Sequence, residues 1–199
     1  MQDEGVIKFS CTWESAQLVD FPALGELITW RDRMFAAGFI GTYPDGIGYG
    51  NISLRLKGHT FVISGTQTGH LDRTDASHYT LVDHWDIEQN TLHCTGPLKA
   101  SSESLTHAAL YAFSPAIQAV IHIHHRGLWQ THQGQLPTTR VTVPYGTPAM
   151  AHEMWRLFHE ADLHHQHILV MAGHEEGLLA FDETLEAAAQ RLLSLPLEG

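Results

Sequence analysis

Apolar positions recur at three- and four-residue spacing across residues 21–39. Leu24, Leu27, Ile28, Arg31, Met34 and Phe35 share one face there. Asp20 can cap the start and Gly38 lies near the end, so the pattern predicts an amphipathic helix. A turn-rich stretch, "GTYPDGIGYGN", follows. The period then drops to two: Ile52, Leu54 and Leu56 alternate with polar residues in "NISLRL". This run and "TFVIS", joined across "KGH", predict a hairpin with one buried face. "HYTLVDHWDIEQNTLHCTG" predicts further short strands around a turn at Gln89 and Asn90. Residues 101–113 read as a helix stopped by Pro115, and "QAVIHIHH" as a strand. Thr147 then caps a helix that has Pro148 at its first position. "HILVMAG" and "GLLAF" read as strands, and Asp182 as the cap of a last helix to about Leu195. Helices mixed with hairpin strands, and no repeat or linker, predict one layered α/β domain over residues 1–199.

A chain of 199 residues with 43% hydrophobic content suffices for one sizeable core. Net charge is −11 and no basic stripe occurs, which argues against a nucleic-acid partner. No apolar run approaches the ~20 residues needed to cross a bilayer. The acidic opening "MQDEGVIKFSC" lacks the layout of a signal peptide, so a cytoplasmic protein is expected. Cys11 and Cys94 lie far apart with no zinc or redox spacing, and read as small hydrophobes.

The 16 histidines change the picture. His122 and His124 are two apart on a strand and present their imidazoles side by side, with Ile121 and Ile123 facing the other layer. That pair alone is as well explained by ordinary satisfied histidines as by half of a metal site. His125 points the other way. His174 sits between two apolar strands in "VMAGHEEGLLAF", where a turn histidine is the plain reading. Together, three neutral imidazoles with an open position would suit a catalytic divalent ion. Ser101 and Ser102 open a helix with Glu103 in its first turn, and such a start can hold an anion or simply be capped. His107 is a possible partner one turn on, although a residue on the helix face is preferred. His164, His165 and His167 read as a solvated cluster, and His93, His132, His152 and His159 have no partner spacing.

"KASSESLTHAALY", "AVIHIHH" and "GHEEG", in that order, resemble the class II aldolase/adducin family over about residues 24–193. The resemblance implies a three-layer α/β/α domain around a mixed, largely antiparallel sheet. It implies His122, His124 and His174 as metal ligands, with Glu103 as the catalytic acid–base that also ligates the resting metal. Zinc is the expected ion. The family's phosphate-binding positions match Gly50, Asn51, Ser101 and Ser102. Its Thr-Pro-Ser/Thr-Gly loop is replaced here by "ISGTQTG", in which Ser64, Gly65, Thr66 and Gln67 align approximately. The late His-Gly becomes "HEEG", and Tyr145 falls near a proton-donating tyrosine of the aldolases.

Glutamate at position 103, where the family's epimerases carry aspartate, favours aldolase chemistry: carbon–carbon cleavage through an enediolate. The expected substrate is a small sugar or hydroxyketone, phosphorylated or free. A dehydratase or epimerase on the same site is the nearest rival, and a non-catalytic adducin-like interaction module is a more distant one. The resemblance also implies a homotetramer, with Trp129, Trp155 and Phe158 as interface candidates.

Overall fold

The computed structural model describes residues 5–18 and 20–196; Asp3 and Glu4 of the acidic opening lie outside the described residues. The first predicted helix forms as α1 (Leu24–Ala36), shorter than its apolar pattern. Asp20 does not cap it. Leu24 N–H bonds to the Phe21 carbonyl at 3.0 Å, so a backbone turn through Pro22 and Ala23 starts the helix.

The strands are β1 (Ser10–Ser15), β2 (Gly41–Thr42), β3 (Gly48–Tyr49), β4 (Asn51–Lys57), β5 (Thr60–Ser64), β6 (Tyr79–Asp86), β7 (Thr91–Gly96), β8 (Ala119–His124), β9 (Ile168–Val170) and β10 (Gly177–Asp182). Eight of them form one sheet in the order β1-β7-β6-β5-β4-β8-β10-β9, and β2 pairs with β3 apart from it. Every pairing in the large sheet is antiparallel except β1 with β7. The predicted hairpin is β4–β5, and Asn90 takes the predicted turn with φ of 52°. The edge strand β1 escapes the pattern because its residues are mostly exposed and show no alternation.

Two layers cover the sheet. On one face, α2 (Ser104–Phe113) and α4 (Pro148–Glu160) pack through Leu105, Ala109, Met150, Met154 and Leu157 onto Phe61, Ile63, Val120 and Leu179. On the other, α1 and α6 (Leu185–Leu193) pack through Leu27, Met34, Ala188 and Leu192 onto Ile52, Val62, Ile121 and Ile123. The alternation of Val62 against Phe61 and Ile63 is the period-two pattern of a strand buried on both faces. The architecture is therefore the expected three-layer α/β/α domain.

Thr147 caps α4 as expected, its hydroxyl accepting from Met150 N–H. Two other helix starts differ. Residues 101–103 precede α2 rather than opening it: Ser104 N–H and its hydroxyl both turn back to the Ser101 carbonyl, at 3.1 and 2.6 Å. Thr184, not Asp182, caps α6, because Asp182 ends β10 and binds Arg191 Nε at 2.7 Å. The short helices α3 (Arg126–His132) and α5 (Leu163–Gln166) are additions to the expected set. Parallel pairing of β1 with β7 brings the thiols of Cys11 and Cys94 within 3.7 Å, a proximity that 83 residues of separation conceal. No helix among the described residues is long and apolar enough to cross a membrane.

Candidate active site

All six residues of β8 are buried. Strand alternation sends Ile121 and Ile123 to the α1/α6 side, so His122 and His124 share the face of Val120, toward α2. His122 Nδ1 lies 3.0 Å from the Leu178 carbonyl of β10, and its Nε2 lies 3.1 Å from His124 Nε2. A carbonyl only accepts, so the His122 proton sits on Nδ1 and Nε2 keeps a lone pair. Burial, followed by His174 and His122, holds His124 well below the usual imidazole range. It is a neutral ring at physiological pH, the form that binds a metal.

His174 arrives from the tight turn between β9 and β10, where its N–H bonds to the Met171 carbonyl and its carbonyl accepts from Gly177 N–H. Its ring centroid lies 5.0 Å from that of His122 and 4.7 Å from that of His124. One ring nitrogen from each of the three lies within 4.8 Å of the others, and all three rings are buried. Gly177 allows this approach, since a β-carbon there would stand 3.0 Å from the His174 carbonyl and 3.2 Å from the His122 ring.

Glu103, at the N-cap position of α2, is 1% exposed and places Oε1 3.2 Å from His174 Nδ1. Neither carboxylate oxygen has a hydrogen bond among the described residues. Burial opposes its ionisation, but the neighbouring His174 and His122 outweigh burial and hold the carboxyl at about 2. A buried carboxylate beside three clustered imidazoles is a donor set that fits a divalent cation.

His107 is not a surface-face residue. It is fully buried, with Nδ1 2.7 Å from the Ser53 hydroxyl, and burial followed by His122 pushes it down to about 3. Tyr145 stacks its ring on His174 at 4.3 Å, while its hydroxyl accepts from Val6 N–H at 3.1 Å. His125 instead caps α3, accepting from Leu128 N–H. His164 and His165 are exposed beside Asp162, as a solvated cluster would be, whereas His167 is half-buried, stacked on Phe181 with Nδ1 3.1 Å from Asp182. The interface candidates pack inward: Phe158 is buried, and the indoles of Trp129 and Trp155 donate to the Met171 and Ala109 carbonyls.

Next to the histidines is a cavity of about 560 Å³ whose lining includes Gly50, Asn51, Gly65, Thr66, Ser101 and Ser102. The histidines themselves do not line it. Asn51, opposite His122 across the β4–β8 pairing, and Ser102, next to Glu103, connect the two regions. Asn51 is buried with Oδ1 unpartnered among the described residues. Gly50 sets it there with φ of +75°, and a β-carbon at Gly50 would stand 2.8 Å from Ile40 Cγ1. Ser64 is not in the lining; its hydroxyl accepts from Ile52 N–H and ties β5 to β4. The "ISGTQTG" loop is anchored from below by Arg31, which is fully buried and donates to the Thr68 and Leu71 carbonyls. In the sequence Arg31 is legible only as a helix position. Tyr43, Glu176 and Arg126, which reach the cluster through His124, carry no signal there at all.

The family model described as Class II Aldolase and Adducin N-terminal domain matches residues 45–196. The chain belongs to this family. Among solved structures, this class II aldolase-family chain is similar to an L-fuculose 1-phosphate aldolase, with a TM-score of 0.64 and 17% identity over 89% of this chain and 83% of that one. It is also similar to YgbL from Klebsiella pneumoniae, a candidate aldolase/epimerase/decarboxylase, with a TM-score of 0.62 and 20% identity over 85% of this chain and 82% of that one. A third is the l-fuculose-1-phosphate aldolase of Thermus thermophilus, with a TM-score of 0.53 and 21% identity over 86% of this chain and 94% of that one. At these identities the likeness is one of fold. No curated protein matches the chain.

Proposed function

We propose that this family member is a metal-dependent lyase that cleaves a carbon–carbon bond beside the carbonyl of a small sugar or hydroxyketone. The observation carrying this reading is the buried Glu103 carboxylate, 3.2 Å from His174 within the three-histidine cluster. His122, His124 and His174 would hold the ion, with Glu103 as a further ligand at rest. When bound, a zinc ion supplies Lewis acidity to the substrate's oxygens.

The remaining work belongs to the chain. Glu103, buried 3.2 Å from His174, takes or returns the proton on the carbon beside the carbonyl. Asn51, Thr66, Ser101 and Ser102 offer uncharged hydrogen-bond groups to the far end of the substrate, and a phosphate or hydroxyl there fixes the reacting carbons near Glu103. Tyr145, stacked on His174, would hold that ring in place, and a role as proton donor would require its hydroxyl to leave the Val6 backbone. The same reading carries a homotetramer, and a monomeric mass by light scattering at micromolar concentration would count against that part.

The test is a turnover screen of metal-loaded protein over ketose phosphates and free hydroxyketones, followed by NMR. Aldehyde and ketone products are expected. Epimerised or dehydrated product without cleavage would replace the lyase reading with its rival, and absence of both turnover and bound metal would defeat it.

A further inference from the structure

A chain of polar side chains runs outward from His124. Tyr43, in the loop between β2 and β3, places its hydroxyl 2.8 Å from His124 Nδ1 and 2.8 Å from Glu176 Oε2. Glu176 Oε1 in turn accepts from Arg126 Nε at 2.7 Å. Counting protons fixes the direction of these bonds. A carboxylate oxygen accepts, so the single hydroxyl proton of Tyr43 goes to Glu176. The Tyr43 oxygen then offers only lone pairs to His124, which must donate from Nδ1. His124 Nε2 therefore carries a lone pair rather than a proton, and it faces His122 Nε2 at 3.1 Å.

We propose that Tyr43, set by Glu176 and Arg126, is a positioning residue that locks His124 in its Nδ1–H form and aims its Nε2 lone pair into the three-histidine cluster. This rests on the reading of that cluster as a metal site. Glu176 is the second of the two glutamates in "HEEG". It has φ of 67°, a left-handed backbone that disfavours a non-glycine residue, yet its side chain is largely buried against Tyr43 and Arg126. Such strain persists where surrounding contacts over-determine it. Tyr43 also belongs to the loop whose next turn, Asp45 to Gly48, lines the cavity, so one side chain ties the cavity wall to a ligand ring.

Loss of Glu176 has a specific consequence. Tyr43 would be released to donate to His124 Nδ1, which moves the ring proton to Nε2 and blocks that nitrogen. The experiment uses ¹⁵N-labelled, metal-free full chain and long-range proton–nitrogen NMR of the His124 ring. Wild type should show a protonated Nδ1 and an unprotonated Nε2. Tyr43→Phe should lose that preference, Glu176→Ala should reverse it, and Glu176→Gln, whose amide oxygen still accepts from Tyr43, should restore it. Zinc affinity by chelator competition should fall ~10–100-fold in Tyr43→Phe and Glu176→Ala, as for loss of the groups that orient metal ligands. Unchanged His124 tautomer and zinc affinity in both variants would overturn the proposal, as would a wild-type ring protonated on Nε2. A wild type that binds no zinc, but whose tautomer still follows Tyr43, would sink the metal reading and leave the Tyr43 assignment supported.

Discussion

His122 and His124 hold their Nε2 atoms 3.1 Å apart, and each ring bonds through Nδ1 to an oxygen on its other side, the Leu178 carbonyl or the Tyr43 hydroxyl. With both Nδ1 atoms donating, each ring turns its Nε2 toward the cluster in the form that ligates a cation. Purified protein is therefore expected to carry about one divalent ion per chain, zinc foremost. Titrating zinc into stripped protein should raise the unfolding temperature, since a ligand at ~100 times its Kd adds roughly 2.7 kcal/mol. Metal analysis of His122→Ala with His124→Ala checks the assignment; stoichiometric ion in the double variant would show that it binds elsewhere.

Glu103 separates an acting enzyme from a passive metal binder. Glu103→Gln keeps the size of the side chain and one oxygen beside His174 but removes the base. Three imidazoles remain, so metal content should drop little. Deuterium exchange at the carbon beside the substrate carbonyl should fall ~10²–10⁴-fold at equal metal loading, the usual contribution of a positioned base. Similar exchange rates in both proteins would reduce Glu103 to a helix-start residue.

The layers of the fold are legible in the sequence because period two and period 3.6 each mark a buried face, as in β8 and α4; β4 departs from its alternation, with Ile52 and Ser53 both buried and Leu56 exposed. The cluster is legible in part: His122 and His124 share a strand, whereas His174 joins them only through β10 pairing with β8, and the sequence shows it only through the family resemblance. Helix starts differ from expectation where backbone turns do the capping, as at Phe21 and Ser101. The Tyr43–Glu176 bond spans 133 residues, and no local pattern joins "GTYPDG" to "HEEG". His107 reads as a face residue for a related reason. Its burial against Ser53 of β4 depends on where α2 lies over the sheet, not on the helix's own period.

The cavity predicts how an anionic substrate would be held. Among the described residues its lining contains Asn51, Thr66, Ser101 and Ser102 but no lysine or arginine. Inorganic phosphate should compete with a phosphorylated substrate. Ser102→Ala should raise KM more than it lowers kcat, because a contact distant from the reacting carbons serves ground state and transition state alike. Steady-state kinetics with and without phosphate decide this. Turnover of free hydroxyketones that ignores phosphate would assign the cavity to an uncharged end.

Arg31 gives the last prediction, since its burial has no catalytic purpose of its own. The guanidinium is fully enclosed, lies 5.3 Å over the Phe35 ring, and donates to the Thr68 and Leu71 carbonyls where the "ISGTQTG" loop ends. Burial lowers its pKa, against the opposing pull of Tyr79 and Asp32. Asp32 itself accepts from Thr74 N–H at 3.1 Å, so adjacent residues of α1 pin this stretch of chain at two points. Arg31→Met keeps the apolar stem and removes both carbonyl contacts. Leaving two inward carbonyls unpaired should cost roughly 2–5 kcal/mol in urea unfolding. Lysine is a single compact donor and cannot span two carbonyls as the planar fork does, so Arg31→Lys should recover only part of that loss. Because Thr66 and Gln67 line the cavity just above, KM should also rise in the methionine variant while metal content stays at the wild-type level. Lost metal would mean that the loop and the histidine cluster are one cooperative unit. Unchanged stability would mean that water replaces the guanidinium and that the loop stands without it.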